Sequence, residues 1–322
     1  MGLKIFLSFI FILFVVVLLV FYWFIPFGTI EFNVASDNYN FSLNTSDMEN
    51  MQFYKNMRYP DSKISYKIYD CPLQKKNDML EAFEIISNST ILNFYPFDYN
   101  AETKEFSGEE NFSEQEISTE EISVTCDSKV KIEEEMFIAG EGGPTEVIGG
   151  EIFNIILHGK ILLIKESVCE RPNVAIHELL HVLGFNHSDN PNNIMYPFSK
   201  CRQTIGEDIP KLINQLYSFP SYSDLAFENV SAVMHGRYLD ANVTIRNDGL
   251  RDSEKTKLEI YANENFVKEI DLDIIKMGYK KMIKLSNVWI KKTNFQELKF
   301  FINSSFNELE KKNNKIVLEI KE

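Results

Sequence analysis

Every position from Ile5 to Ile25 is apolar except Ser8 and Tyr22. A run of about 20 such residues is long enough for a helix to cross the hydrocarbon core of a bilayer. A transmembrane anchor is therefore predicted over residues 1–27, with residues 5–25 in the membrane. Tyr22 and Trp23 suit the membrane–water interface. Lys4 precedes the run, while Glu31, Asp37 and Asp47 follow it. That asymmetry puts the N-terminus in the cytoplasm and the remainder outside, as a single-pass protein. The competing reading is a cleaved signal peptide and a secreted product. Its apolar core would run only about 7–15 residues, and a small-x-small cleavage site should follow closely, which none does.

Beyond the anchor the pattern changes several times. Residues 28–52 are polar, carry sequons at Asn40 and Asn44, and read as a spacer. A first domain is predicted over 53–220. Ser62 to Asp70 alternates like a strand, and Asn77 is placed to cap a helix carrying Met79, Phe83 and Ile86 on one face. Ile91 to Phe97 and Ile122 to Cys126 read as strands, separated by a glutamate-rich stretch, Glu102 to Glu121, that reads as a solvated loop. Glycine-rich residues 140–150 precede Ile152 to Lys165, one or two strands with a turn expected at His158-Gly159. Ile176, Leu179, Leu180 and Leu183 then fall at helical spacing from Asn173 onward. A last helix carries Ile209, Leu212, Ile213, Leu216 and Tyr217, with Pro210 tolerated in its first turn.

Phe219-Pro220-Ser221 marks a boundary, and residues 221–322 form a second domain. Its runs are short and strand-like: Ala241 to Arg246, Lys257 to Tyr261, Phe266 to Ile270, Met282 to Ile290, Glu297 to Ile302 and Ile316 to Ile320. Asn247-Asp248-Gly249 and Asn263-Glu264-Asn265 supply turn chemistry. About seven strands in roughly 100 residues predict an immunoglobulin-like sandwich.

Composition narrows the partners. The net charge of −14 repels phosphate, which argues against DNA, RNA and anionic lipid surfaces as primary ligands. Cys71, Cys126, Cys169 and Cys201 contain no CxxC pair, so ribbon-type zinc and thioredoxin-like chemistry are disfavoured. In an exported chain they read as two disulfides. Three pairings exist, of which Cys71–Cys126 with Cys169–Cys201 is favoured, the second bracketing the motif below.

The chemistry is concentrated in His177-Glu178-Leu179-Leu180-His181-Val182-Leu183-Gly184-Phe185-Asn186-His187. His177 and His181 are four residues apart and share one helical face, a spacing at which two imidazoles can hold one zinc ion. Glu178 lies about 60° around the helix from His181, overhanging the metal without ligating it, where a general base for water belongs. Gly184 can adopt the left-handed geometry that ends the helix, returning His187 as a third ligand. Three protein ligands leave a position open, the mark of a catalytic rather than a closed site. The bland reading is a core helix with incidental histidines. The chain has only five histidines, and three fall at this spacing.

The string resembles the metzincin zinc peptidases. Pro191 and Ile194-Met195-Tyr196-Pro197 downstream are similar to the matrixin branch. That resemblance implies an α+β fold in which a twisted mixed sheet and an active-site helix enclose one catalytic zinc. It makes Met195 the residue of the methionine turn beneath the ligands. It also makes Tyr196, Pro197 and Phe198 the wall of the pocket for the side chain after the scissile bond. An exposed edge strand for an extended peptide is expected between Gly149 and Lys165. Two departures stand out. No cysteine-switch motif is found. Only His158 and His235 remain for a second, structural zinc, and they fall in separate predicted domains. No loop has a diagnostic calcium pattern. In the second domain, Asn242 to Gly249 and Glu308 to Asn314 resemble the CARDB type of surface domain, an immunoglobulin-like sandwich used for spacing or adhesion.

The function expected is a membrane-anchored zinc metalloendopeptidase acting on exported or cell-surface proteins. Two alternatives are an adhesin built on an inactive metzincin scaffold and a hydrolase of non-peptide amides. Glu178 weighs against the first, because a dead copy need not keep a base. The methionine-turn context weighs against the second.

Overall fold

The structure is a computed structural model that describes residues 2–24, 28–35, 50–98, 121–128, 132–133, 136–166, 168–292 and 294–321. The two sequons and all but Glu121 of the glutamate-rich stretch fall outside these residues. Two compact units are resolved. One comprises Met1–Phe41, Ser223–Asn247 and Asp252–Glu322; the other comprises Ser42–Tyr222 and Asp248–Arg251.

Gly2–Phe24 forms helix α1. Its side chains are described over residues 6–20, where all are exposed. Among the described residues no helix is long and apolar enough to cross a membrane. The spanning segment expected over residues 5–25 is thus not established by them. Strand β1, Thr29–Val34, follows.

The second unit holds β2 (Met57–Arg58), β3 (Lys63–Ile68), α2 (Leu73–Ser89), β4 (Asn93–Pro96), β5 (Ile122–Cys126), a short ribbon of β6 (Ile132–Glu133) and β7 (Met136–Phe137), β8 (Gly140–Gly149), β9 (Asn154–Leu163), α3 (Asn173–Val182) and α4 (Asp208–Leu216). Its main sheet runs β4-β3-β5-β9, all parallel, with β2 beside the start of β9 and β8 antiparallel along its other side. The parallel strands are apolar where they meet the helices. Ile64, Ile122, Val124, Ile156 and Ile161 form one core with Met79, Phe83 and Ile86 of α2 and Ile176, Leu179 and Leu180 of α3.

Three local expectations are corrected here. Helix α2 starts at Leu73, a turn before Asn77, with Pro72 ahead of it. The reason is Lys75, which is buried and whose Nζ donates to the carbonyls of Asp127 and Ile164, both at 2.7 Å. A buried ammonium needs such partners, and the helix must begin early to deliver it. Second, β9 runs unbroken through His158-Gly159. Gly159 serves close approach rather than a turn: a Cβ there would lie 2.4 Å from Val182 Cγ1 and 2.7 Å from the Tyr59 hydroxyl. Third, β9 is an interior strand. The open edge belongs to β8, the glycine-rich segment before it, which pairs only with β9 among the described residues.

The other unit contains β10 (Leu225–His235), β11 (Tyr238–Asn247), β12 (Thr256–Ala262), β13 (Asn265–Leu272), β14 (Lys280–Trp289), β15 (Glu297–Ile302) and β16 (Lys315–Ile320). Strand order is β13-β12-β15-β16-β1-β10-β11-β14, antiparallel throughout. Inward residues alternate along the strands, as in Leu239, Ala241, Val243 and Ile245 of β11. Strand β1 crosses between the two halves. Thr29, Ile30 and Glu31 pair with β10, and Phe32, Asn33 and Val34 pair with β16. Residues 28–52, expected as a spacer, therefore begin with a strand of the sandwich. Phe32 is buried there and stacks on Phe295 at 5.9 Å.

Candidate metal centre

Helix α3 is buried along almost its whole length, including His177, Glu178 and His181. It ends at Val182 with Leu183 as its C-cap, and Gly184 takes φ +93°. A side chain there would suffer twice. The backbone is left-handed, and a Cβ would lie 2.7 Å from Met57 Cβ. The turn carries the chain through Phe185 and Asn186 to His187.

The three imidazoles converge. His181 Nε2 lies 3.0 Å from His177 Nε2 and 3.2 Å from His187 Nε2. The other ring nitrogens fix what those contacts are. His177 Nδ1 sits 2.7 Å from the Ile194 carbonyl, and His181 Nδ1 sits 2.8 Å from the Phe185 carbonyl. A carbonyl only accepts, so both Nδ1 atoms carry the proton. In the neutral rings each Nε2 then presents a lone pair. Burial lowers all three histidines below their ordinary value. His181 is brought to about 4, by burial first and then by the neighbouring His177.

Lone pairs facing one another at this range repel unless a cation lies among them. Zinc–nitrogen bonds of about 2.0–2.1 Å in a tetrahedron place nitrogens about 3.3 Å apart, close to the separations here. The set therefore fits a zinc ion in donor type and spacing, and His177 and His181 fit it in protonation as well. Among the described residues it is the one group of three or more His, Cys, Asp or Glu side chains so arranged. His158 and His235 lie elsewhere, beside Glu146 at 3.8 Å and Asp240 at 3.7 Å.

Glu178 packs beneath β8. Burial, with Glu141 adding like charge, pushes its carboxyl up to about 8. That value describes the metal-free protein. A dication at the histidines would favour the carboxylate and bring it down again. Two glycines of β8, Gly140 and Gly142, make room for this contact. A Cβ on Gly140 would lie 2.8 Å from Glu178 Cγ and Oε1, and one on Gly142 would lie 2.4 Å from the Glu178 backbone oxygen. A glycine run inside a strand pattern signals such close backbone approach, and it was the available clue to this edge.

Met195 is buried in the core. Its N–H donates to Asn193 Oδ1 at 2.8 Å, and its carbonyl accepts from the Ser188 N–H at 2.9 Å. The Ile194 carbonyl that holds His177 is in turn fixed by the Ile194 N–H bond to the Thr204 carbonyl, 2.8 Å. Tyr196 is half-buried, and Pro197 and Phe198 are exposed. The Tyr196 and Phe198 rings are 5.8 Å apart. Cys169 is bonded to Cys201, and Cys71 to Cys126. The first closes the segment carrying these residues onto the start of α3, where Asn173 Nδ2 also donates to the Lys200 carbonyl at 2.8 Å. The second ties the ends of β3 and β5.

Residues that spacing did not single out complete the centre. The Phe53 ring stacks on His181 at 5.7 Å and 22°. Gln52 bridges Phe185.

The geometry is that of a tri-histidine metal centre on an α+β scaffold. The matrixin peptidase family matches residues 45–218 and the CARDB family matches residues 223–317. The chain belongs to the matrixin family, with a CARDB domain after the matrixin domain. Human matrix metalloproteinase-15 is 38% identical over 88 residues, 25% of this chain and 12% of that protein, so this chain spans only a small part of that relative's length. Among solved structures, the CARDB domain of a Pyrococcus furiosus protein in complex with di-metal ions is 14% identical, covering 31% of this chain and 88% of that one, with a TM-score of 0.24. A domain of a Methanosarcina acetivorans protein assigned to the cell surface is 15% identical, covering 31% of this chain and 91% of that one, with a TM-score of 0.26.

Proposed function

We propose that this chain is a zinc-dependent metalloendopeptidase held at a membrane by its N-terminal helix, with exported or surface proteins as substrates. The observation that carries the reading is the convergence of the Nε2 atoms of His177, His181 and His187. Zinc bound there would polarise the scissile carbonyl and acidify water. The remaining work belongs to the chain. Glu178, held under β8, takes the proton from water and passes it to the departing amine. The open edge of β8 accepts an extended peptide by main-chain hydrogen bonds. Tyr196, Pro197 and Phe198 offer an apolar wall for the side chain that follows the cut, and Met195 is the floor under the ligands. Anchoring is supported by the apolar side chains of residues 6–20, all exposed on α1, since a continuous apolar surface of this size is costly in water.

The test is turnover of a random peptide library by the full chain, with and without a zinc chelator, beside Glu178→Gln. The substitution should cost on the order of 10²–10⁴-fold in rate with zinc retained. Unchanged turnover in that variant, or cleavage indifferent to chelation, would remove the reading. Resistance of the chain to alkaline extraction from membranes tests the anchor separately.

A further inference from the structure

We propose that Met51–Phe53 is a strap that positions His181, the middle ligand of the triad, and that the Phe53 ring governs how firmly the centre retains its metal. The inference rests on the reading of that centre as a zinc site. His181 holds the key position because its Nε2 contacts both other ligands, at 3.0 Å and 3.2 Å. A rotation of this one ring therefore misplaces two of the three nitrogen pairs.

Two things fix the ring: the strap braces one and supplies the other. The first is the Phe185 carbonyl, which accepts from Nδ1 at 2.8 Å. Phe185 is held on one side by the end of α3, its N–H donating to the Leu180 carbonyl at 3.0 Å, and on the other by the strap. Gln52 bridges it in antiparallel fashion. On one side the Phe53 N–H donates to the Gly184 carbonyl, and on the other the Asn186 N–H donates to the Met51 carbonyl, both at 2.9 Å. The turn that presents His187 is thus clipped to residues 51–53 just before the ligand. The strap is itself braced, since Gln52 Nε2 donates to the Met57 carbonyl at 2.8 Å and Gln52 Oε1 accepts from the Met57 N–H at 3.1 Å. The second constraint is the Phe53 ring, 5.7 Å from the His181 ring and tilted by 22°. That lies within the range of favourable offset stacking. Phe53 remains 39% exposed.

Groups that orient a metal ligand from behind typically cost about 10–100-fold in metal affinity when removed. Phe53 is a positioning residue by this argument, not a catalytic one. The test uses the full chain loaded with zinc and follows release to a chromogenic chelator for wild type, Phe53→Ala, Phe53→Leu and Phe53→Trp. The unfolding midpoint of each metal-free protein is measured in parallel. Release should be roughly 10–100-fold faster for Ala and Leu and near wild type for Trp. Leu keeps apolar bulk without a stacking face, so it separates stacking from packing. Release rates that are unchanged in all variants, or that simply follow the metal-free midpoints, would overturn the proposal. A wild-type chain that binds no zinc would instead dismiss the metal centre itself.

Discussion

Gly142 and Gly143 are neighbours in one strand, yet alanine should do opposite things at the two positions. At Gly142 a Cβ would lie 2.4 Å from the Glu178 backbone oxygen and 2.9 Å from its carbonyl carbon and Cα. Ordinary carbon contacts lie at about 3.5–4.0 Å, so the strand must retreat from α3 by about 1 Å. The obstacle is helix backbone, which cannot swing aside as a side chain would. Such overpacking costs about 1–3 kcal/mol. At Gly143 nothing lies within 4 Å. Neither glycine has a left-handed φ, so alanine there should be neutral or stabilising by about 0.4–1 kcal/mol through the unfolded chain. Function should diverge further, because the retreating strand carries the edge proposed to bind peptide away from Glu178. A displacement of about 1 Å near a reacting centre can cost around 10²-fold in rate. Thermal unfolding and peptide turnover of the two single variants, side by side with wild type, decide the matter. Equal midpoints and equal rates for Gly142→Ala and Gly143→Ala would refute the close approach of β8 to α3.

Three further outcomes are expected. Chelation should lower the unfolding midpoint, since zinc at about 100 times its Kd stabilises by about 2.7 kcal/mol; a midpoint indifferent to chelator and to His187→Ala would deny the triad a metal. Replacing both Cys169 and Cys201 with serine removes a crosslink spanning 32 residues, worth about 3–4 kcal/mol on chain entropy, and denaturant titration should register that loss. Cleavage-site profiling should show broad apolar preference just after the cut, each methylene being worth about 1–3 kcal/mol; a dominant charged preference there would remove Tyr196, Pro197 and Phe198 from the pocket wall.

Local features of this chain were legible and distant ones were not. The spacing of His177, His181 and Gly184 reports a helix and its end within eleven residues, because period and capping are short-range physics. The strands from Ala241 to Ile320 announced themselves by alternation. In contrast, Thr29–Val34 also alternates, but its partners, His235 and Ile320 among them, lie hundreds of residues away. No local rule connects them. The edge strand was placed one element too late because Gly140 and Gly142 carry no side chains to pattern, and their reason is Glu178, a contact visible only in three dimensions. Lys75 and Phe53 were missed on the same grounds. One looks like a surface lysine and the other like the start of a domain, until the carbonyls and the imidazole they meet are known.

The crossing strand β1 makes the matrixin domain an insertion within another fold. Phe32 zips against Ile320 and Glu31 against Val233, so the sandwich is closed by residues made before and after the peptidase segment. During synthesis β1 must wait for β10 at residues 225–235 and then for residues 315–320 before both its edges are paired, while residues 42–222 can complete their own core sooner. Folding should therefore be ordered against the chain's written sequence, peptidase first and sandwich last, with β1 as a sticky intermediate that invites mispairing. Mechanical load follows the same topology. Tension applied at α1 enters the sandwich through β1 and spreads into β10 and β16 as shear, leaving the covalent path through the tri-histidine centre slack. A chain loaded at α1 would thus carry force without His177, His181 and His187 being pulled apart.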